Sequence, residues 1–180
     1  MSRYVALLRG INVGTAKQVP MAKLRQACEN LGWRNVTTVL RSGSVVFDAG
    51  TDDPPQGTAL RAEVEELTGV TADVLMLSAA EFGAIAADNP LAEVSEDGSK
   101  LFTTFLSEPA GTVEVPDAGT LGPEQLSVGR RAVYQWFPDG SMASKVPKQF
   151  WSQFSGIQTA RNQNTVDKIL TLLSEESKKA

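Results

Sequence analysis

Three short stretches of this 180-residue chain hold the side chains best suited to chemistry, and all three are built from cationic, amide and hydroxyl groups. The first is Arg9-Gly10-Ile11-Asn12-Val13-Gly14, the second Arg41-Ser42-Gly43-Ser44, and the third covers residues 159–165, where Arg161, Asn162, Gln163 and Asn164 follow one another. Guanidinium groups hold carboxylates and phosphates through paired N–H donors, amides and hydroxyls add neutral donors, and glycines let a ligand approach the backbone. Such a set points to recognition of a small anion, with Arg9, Arg41 and Arg161 supplying charge, Asn12, Asn162 and Asn164 orienting the ligand, and Ser42 offering a hydroxyl. The same residues also have a plain structural use, in which the glycines shape turns, the arginines pair with some of the 21 carboxylates and one asparagine caps the final helix. Lys145, after Ser144, is a further cation at the expected start of a helix, where the dipole disfavours it, so it either has a partner elsewhere or is simply solvated.

Composition removes most other chemistry. The chain has no histidine and one cysteine, which leaves no Ser-His-Asp or Cys-His relay, none of the usual zinc sites and no iron–sulfur ligation. No catalytic residue, metal or cofactor is therefore assigned. Residues 10–14 form neither a GxxxxGK[ST] loop nor a GxGxxG fingerprint, and the pairs Asp52-Asp53 and Glu65-Glu66 read as solvated surface. Seventeen basic against 21 acidic side chains give a net charge of −4, which argues against general nucleic-acid affinity. The apolar run at residues 4–8 is too short for a membrane span or a secretory core, so the expected compartment is the cytoplasm, without a membrane partner. Cys28 shares an apolar stripe with Met21, Leu24 and Leu31 and reads as core.

The elements that must position these groups follow from periodicity. Residues 4–9 predict a buried strand, Val19-Pro20 opens a helix to about Leu31, and residues 36–41 and 44–48 predict a hairpin about Ser42-Gly43. A second amphipathic helix carries Leu60, Val64 and Leu67 and ends at Gly69, and residues 70–77 form a fourth strand. This β-α-β-β-α-β order predicts the split βαβ, ferredoxin-like unit, with the first and third strands adjacent at the centre of an antiparallel sheet. Its central strands are apolar on both faces, which predicts a sheet buried on both sides. Ser78 caps a short helix with Phe82 and Ile85, residues 101–106 are a strand, and residues 108–123 are mostly loop. A second hairpin spans residues 125–128 and 132–137, a helix from about Lys145 carries Phe150, Trp151 and Phe154, and a last helix carries Val166, Ile169, Leu170 and Leu173 before a fraying polar tail at residues 174–180. The expected class is α+β, two interlocked ferredoxin-like subdomains at residues 1–78 and 79–180 forming one structural unit. If the first and third strands pair, Arg9, Asn12, Arg41 and Ser42 converge on one sheet edge.

The motifs themselves resemble a known family. "YVALLRGINVG" at residues 4–14, "VPMAKLR" at 19–25, "RSGSVVF" at 41–47, Ser144-Lys145 and "TARNQNTV" at 159–166, in this order, are similar to the bacterial family of domain of unknown function 1697. The resemblance implies a pair of ferredoxin-like subdomains and brings no activity. The chain departs from the family pattern at Thr15, Ser44 and Gln163, where a glycine, an asparagine and a tryptophan are usual. The leading expectation is a binding protein for a small anionic molecule. An enzyme acting on such a ligand and a protein-interaction module that adds a partner strand to a sheet edge are the alternatives.

Overall fold

A computed structural model describes residues 1–41 and 43–175. The chain divides into two compact units, Met1–Gly83 together with the stretch from Asp167, and Ala84–Val166.

The first unit begins with β1 (Ser2–Arg9), α1 (Met21–Asn30), β2 (Arg34–Val39), β3 (Ser44–Ala49), α2 (Gly57–Thr68) and β4 (Asp73–Ser78). Its antiparallel sheet has the order β2-β3-β1-β4, so the first and third strands lie side by side. The inward residues Ala6, Leu8, Val45 and Phe47 share a core with Leu24 and Cys28 of α1 and Leu60 and Val64 of α2, and Trp33 stacks on Phe47 with ring centres 4.1 Å apart. The opposite face is buried too: Val5, Leu7, Val46, Leu75 and Leu77 are each at most 1% exposed. Burial of each such side chain stabilises the fold by roughly 1.5–3 kcal/mol relative to exposure, and this explains why the central strands lack polar alternation. At the far end of the sheet Asp48 accepts from Arg3 Nη1 (3.1 Å) and from Asn35 Nδ2 (2.6 Å), which ties β1, β2 and β3 together.

The hairpin between β2 and β3 is longer than the expected two-residue turn. Val39 and Ser44 are the last paired residues, so the loop runs from Leu40 to Gly43, and Leu40 itself takes a left-handed φ of 56°. Ser42 lies outside the described residues.

α3 (Ala79–Ala87) follows, entered through a reciprocal cap in which the Glu81 amide donates to Ser78 Oγ (3.2 Å) and the Ser78 amide to Glu81 Oε2 (2.8 Å). The second unit then holds β5 (Leu101–Leu106), β6 (Gln125–Val128), β7 (Ala132–Trp136), α4 (Lys148–Ser152) and β8 (Gln158–Asn162), and α5 (Gln163–Glu175) starts in it. Its antiparallel sheet has the order β6-β7-β5-β8. Leu106, Val133, Phe150 and Phe154 form a core on one side of this sheet, and Tyr134 on the other side donates its hydroxyl to the Ile85 carbonyl of α3 at 2.6 Å.

Two expectations for this half are corrected. The helix expected from Lys145 starts at Lys148, because Pro147 holds the preceding residue in extended backbone and becomes the helix's own N-cap. The polar stretch before the last helix, where no strand is expected, contains strand β8, paired with β5 through Thr103↔Arg161 and Phe102↔Asn162. The last helix reaches Glu175, and the rest of the expected polar tail, residues 176–180, lies outside the described residues. Among the described residues no helix is long and apolar enough to cross a membrane.

Candidate functional site

Antiparallel pairing sets the end of β1 beside the start of β3. Leu7 faces Ser44, and the Leu8 amide donates to the Gly43 carbonyl at 2.9 Å. Space there is tight: a Cβ on Gly43, whose φ is +86°, would lie 2.5 Å from Ile11 Cδ1. The loop after β1 therefore packs against the β2–β3 hairpin. Arg9, Asn12 and Arg41 are thereby drawn to one end of the sheet.

Asn12 is the fastener. It sits in left-handed backbone with a φ of 53°, a conformation asparagine tolerates better than most side chains. Its Oδ1 accepts from the Val19 amide at 2.8 Å, while Nδ2 donates to the carbonyls of Val19 (3.1 Å) and Arg41 (2.8 Å). The Asn12 amide meets the Lys17 carbonyl at 2.9 Å and closes the loop on itself. The side chain is thus engaged with backbone from both loops and with the residue that precedes Pro20.

The charged groups around this fastener are solvent-facing. Arg41 donates from Nη2 to Gln18 Oε1 at 3.0 Å, and Gln18 is held in turn by the Gly14 and Ala16 carbonyls, at 3.0 and 3.2 Å. Arg9 and Lys17 are exposed, and among the described residues their side chains have no hydrogen-bond or ion-pair partner. Residues 1–28 contain no Asp or Glu, and Asp73, which stands across the sheet from Arg9 in the β1–β4 register, is paired with Arg61 at 3.0 Å.

The same loop delivers the chain into α1, whose N-cap position is Pro20. Proline has no N–H or polar side chain, no side-chain cap bond is formed, and the first turn carries no acidic residue. The Lys23 and Leu24 amides bond the Pro20 carbonyl, which leaves those of Met21 and Ala22 as open donors at the positive end of the helix dipole. Among the described residues, helix start, basic loop and hairpin present donors and no negatively charged acceptor of their own. Sequence reading missed Lys17, Gln18 and these two amides. The signal available for them was a proline-started helix without an acid in its first turn, after a stretch free of carboxylates.

Arg161, Asn162 and Asn164 lie in the second unit. Arg161 is 6% exposed, and its Nη1 donates to Thr159 Oγ1 (2.7 Å) and to the Ala160 carbonyl (2.8 Å). Burial pulls its guanidinium down to about 10 from an ordinary 12.5. Asn162 Oδ1 accepts from the Thr165 amide at 3.0 Å and caps α5. Asn164 stands in the helix's first turn with its amide against Gly98, where an added Cβ would collide with Asn164 Oδ1.

Glu124, which the sequence does not single out, is a buried carboxylate in the same unit. It accepts from Ser144 Oγ (2.7 Å), the Lys145 amide (2.8 Å) and, at 3.4 Å, Gln135 Nε2. This pins the Ser144-Lys145 segment to the start of β6. Lys145 lies before α4, not at its first turn, and the adjoining cleft of about 120 Å³ is well below the size of a ligand site.

A family model described as "Protein of unknown function (DUF1697)" matches residues 1–134. Among solved structures, the conserved bacterial protein SP0830 from Streptococcus pneumoniae is similar with a TM-score of 0.60 and 26% identity, over 96% of this chain and 98% of that one. No curated protein matches the chain.

Proposed function

The chain belongs to the DUF1697 family of proteins of unknown function, and from its geometry we propose that it binds a small anion, a phosphate or carboxylate, at the end of the first unit's sheet. The observation that carries this reading is the start of α1, a helix with neither cap nor acidic first turn, next to the loop that displays Arg9, Lys17 and Arg41. Helix N-termini attract anions through open amides and the dipole, and guanidinium groups add charge-assisted bonds. Asn12 positions these groups and does not spend its amide on the ligand. Arginines and amides bind an anion without exchanging a proton near neutral pH, which supports binding over turnover. We read both units as ferredoxin-like subdomains, since the two sheets share one strand order.

The test is thermal unfolding in millimolar phosphate or sulfate against chloride at equal ionic strength. A ligand at a hundred times its Kd stabilises by about 2.7 kcal/mol, which appears as a rise in Tm. Arg9→Ala and Arg41→Ala are expected to abolish that rise while leaving the chloride baseline within about 0.5 kcal/mol, since both side chains are exposed. Equal Tm values in phosphate, sulfate and chloride would remove the proposal.

A further inference from the structure

Beside the hairpin, the first unit has a groove of about 430 Å³ lined by Thr38, Val39 and Leu40 of the β2 end and by Asp167, Lys168, Thr171 and Leu172 of α5. That volume falls within the range of small-molecule sites. Leu40 is its most unusual wall. A bulky apolar residue rarely takes a left-handed backbone, yet Leu40 does so at a φ of 56° while remaining 50% exposed. It bears both the strain and the exposure, and strain of this kind collects at binding sites. The next residue is Arg41, whose guanidinium Gln18 holds and whose carbonyl Asn12 fixes. One peptide bond thus separates an apolar groove from the anion site. Arg41, next to the groove wall at Leu40, favours negative charge on what settles there.

We infer that the ligand is an amphiphilic anion, with its charged head at the Arg9–Lys17–Arg41 loop and an apolar chain lying along Leu40 and Leu172 in the groove. This rests on the anion-binding reading and adds the ligand class to it. Charge complementarity favours an anionic head, and the Val39, Leu40 and Leu172 walls favour an alkyl chain over a second polar group.

The test is calorimetric titration of the full chain with inorganic phosphate and then ethyl, butyl, hexyl and octyl phosphate, each below its aggregation concentration. Burying each methylene is expected to tighten binding about fourfold, so hexyl phosphate should bind roughly two hundred times tighter than ethyl phosphate. Thr171→Trp, which fills an exposed part of the groove, should flatten the series and keep inorganic phosphate affinity. Circular dichroism and that retained phosphate binding show that the variant folds. A flat series in the unmodified chain overturns this inference and leaves anion binding intact. Failure of every probe, phosphate included, overturns both. A length dependence that survives Thr171→Trp seats the chain elsewhere and also overturns it, as does a dimer in sedimentation that Leu172→Lys dissolves, since the groove would then belong to a second copy.

Discussion

Asn12 shows how one side chain can stand in for a larger core. Its three hydrogen bonds join residues seven and twenty-nine positions away and extend the fastening of the two loops beyond the apolar contact of Ile11 and Leu8 with Gly43. Asn12→Ala leaves the Val19 amide and the Arg41 carbonyl without these partners and places a Cβ residue less suited to φ 53° in the loop. Urea unfolding should show a loss of about 2 kcal/mol, and the phosphate-induced rise in Tm should shrink although no ligand contact is removed. Cys28 offers a second measurement of a single group. Burial, with a smaller contribution from the charge of Glu29, pushes its thiol up to about 12 from an ordinary 9.0. The folded chain keeps a proton that the unfolded chain releases above pH 9. The stability this group contributes is therefore complete below pH 9 and is lost as pH rises toward about 12. Comparison with Cys28→Ala across that window should show a steeper alkaline decline for the unmodified chain. Iodoacetamide at pH 8 should label Cys28 only after denaturant is added. Arg161, whose folded value is lowered to about 10, slopes the other way over the upper part of the window, and the difference between the two chains isolates Cys28.

Among the elements, the β1 loop and the hairpin form a joint whose closeness depends on the missing side chain of Gly43. Gly43→Ala drives a Cβ into Ile11 and Leu8 at a φ of +86°, and should cost about 2–3 kcal/mol in denaturant unfolding. Ile11→Val beside it should recover part of the steric share, making the pair less than additive. This joint was legible in sequence, because β-branched and apolar runs at residues 4–9, 36–39 and 44–48 announce the strands, and antiparallel pairing then dictates which ends meet. The left-handed Leu40 was not, since nothing in a leucine's chemistry favours that backbone. β8 was hidden for a different reason. Its buried positions are Thr159 and Arg161, polar residues joined by a hydrogen bond, so the strand shows no apolar alternation to read. α4 was misplaced because the aromatic spacing of Phe150, Trp151 and Phe154 was extended back through Pro147, which sets the boundary. The candidate site was legible in its arginines and not in its amides. The open donors of Met21 and Ala22 belong to a helix start, which depends on backbone position rather than on side-chain type.

Across the whole molecule, charge and connectivity are both unevenly distributed. Residues 1–47 hold seven of the 17 basic side chains and one of the 21 acidic ones, so a chain that is acidic overall carries a basic opening quarter, which runs from β1 through α1 and β2 into β3. A net charge of −4 therefore understates the attraction that an anion meets near the β1 loop, where the opposing carboxylates are distant in sequence and exposed ones are screened over about 8–10 Å of saline. The two sheets repeat one strand order, β2-β3-β1-β4 and β6-β7-β5-β8, with the same antiparallel pairing throughout. Connectivity breaks that repetition, because Asp167 and the rest of α5 beyond it return to the unit that begins at Met1. Protein synthesis runs from the amino end, so a nascent chain that has emitted residues 1–83 still lacks one wall of the groove beside Leu40. That wall leaves the ribosome only after the whole second unit, so the unit whose synthesis starts first has to wait for its neighbour.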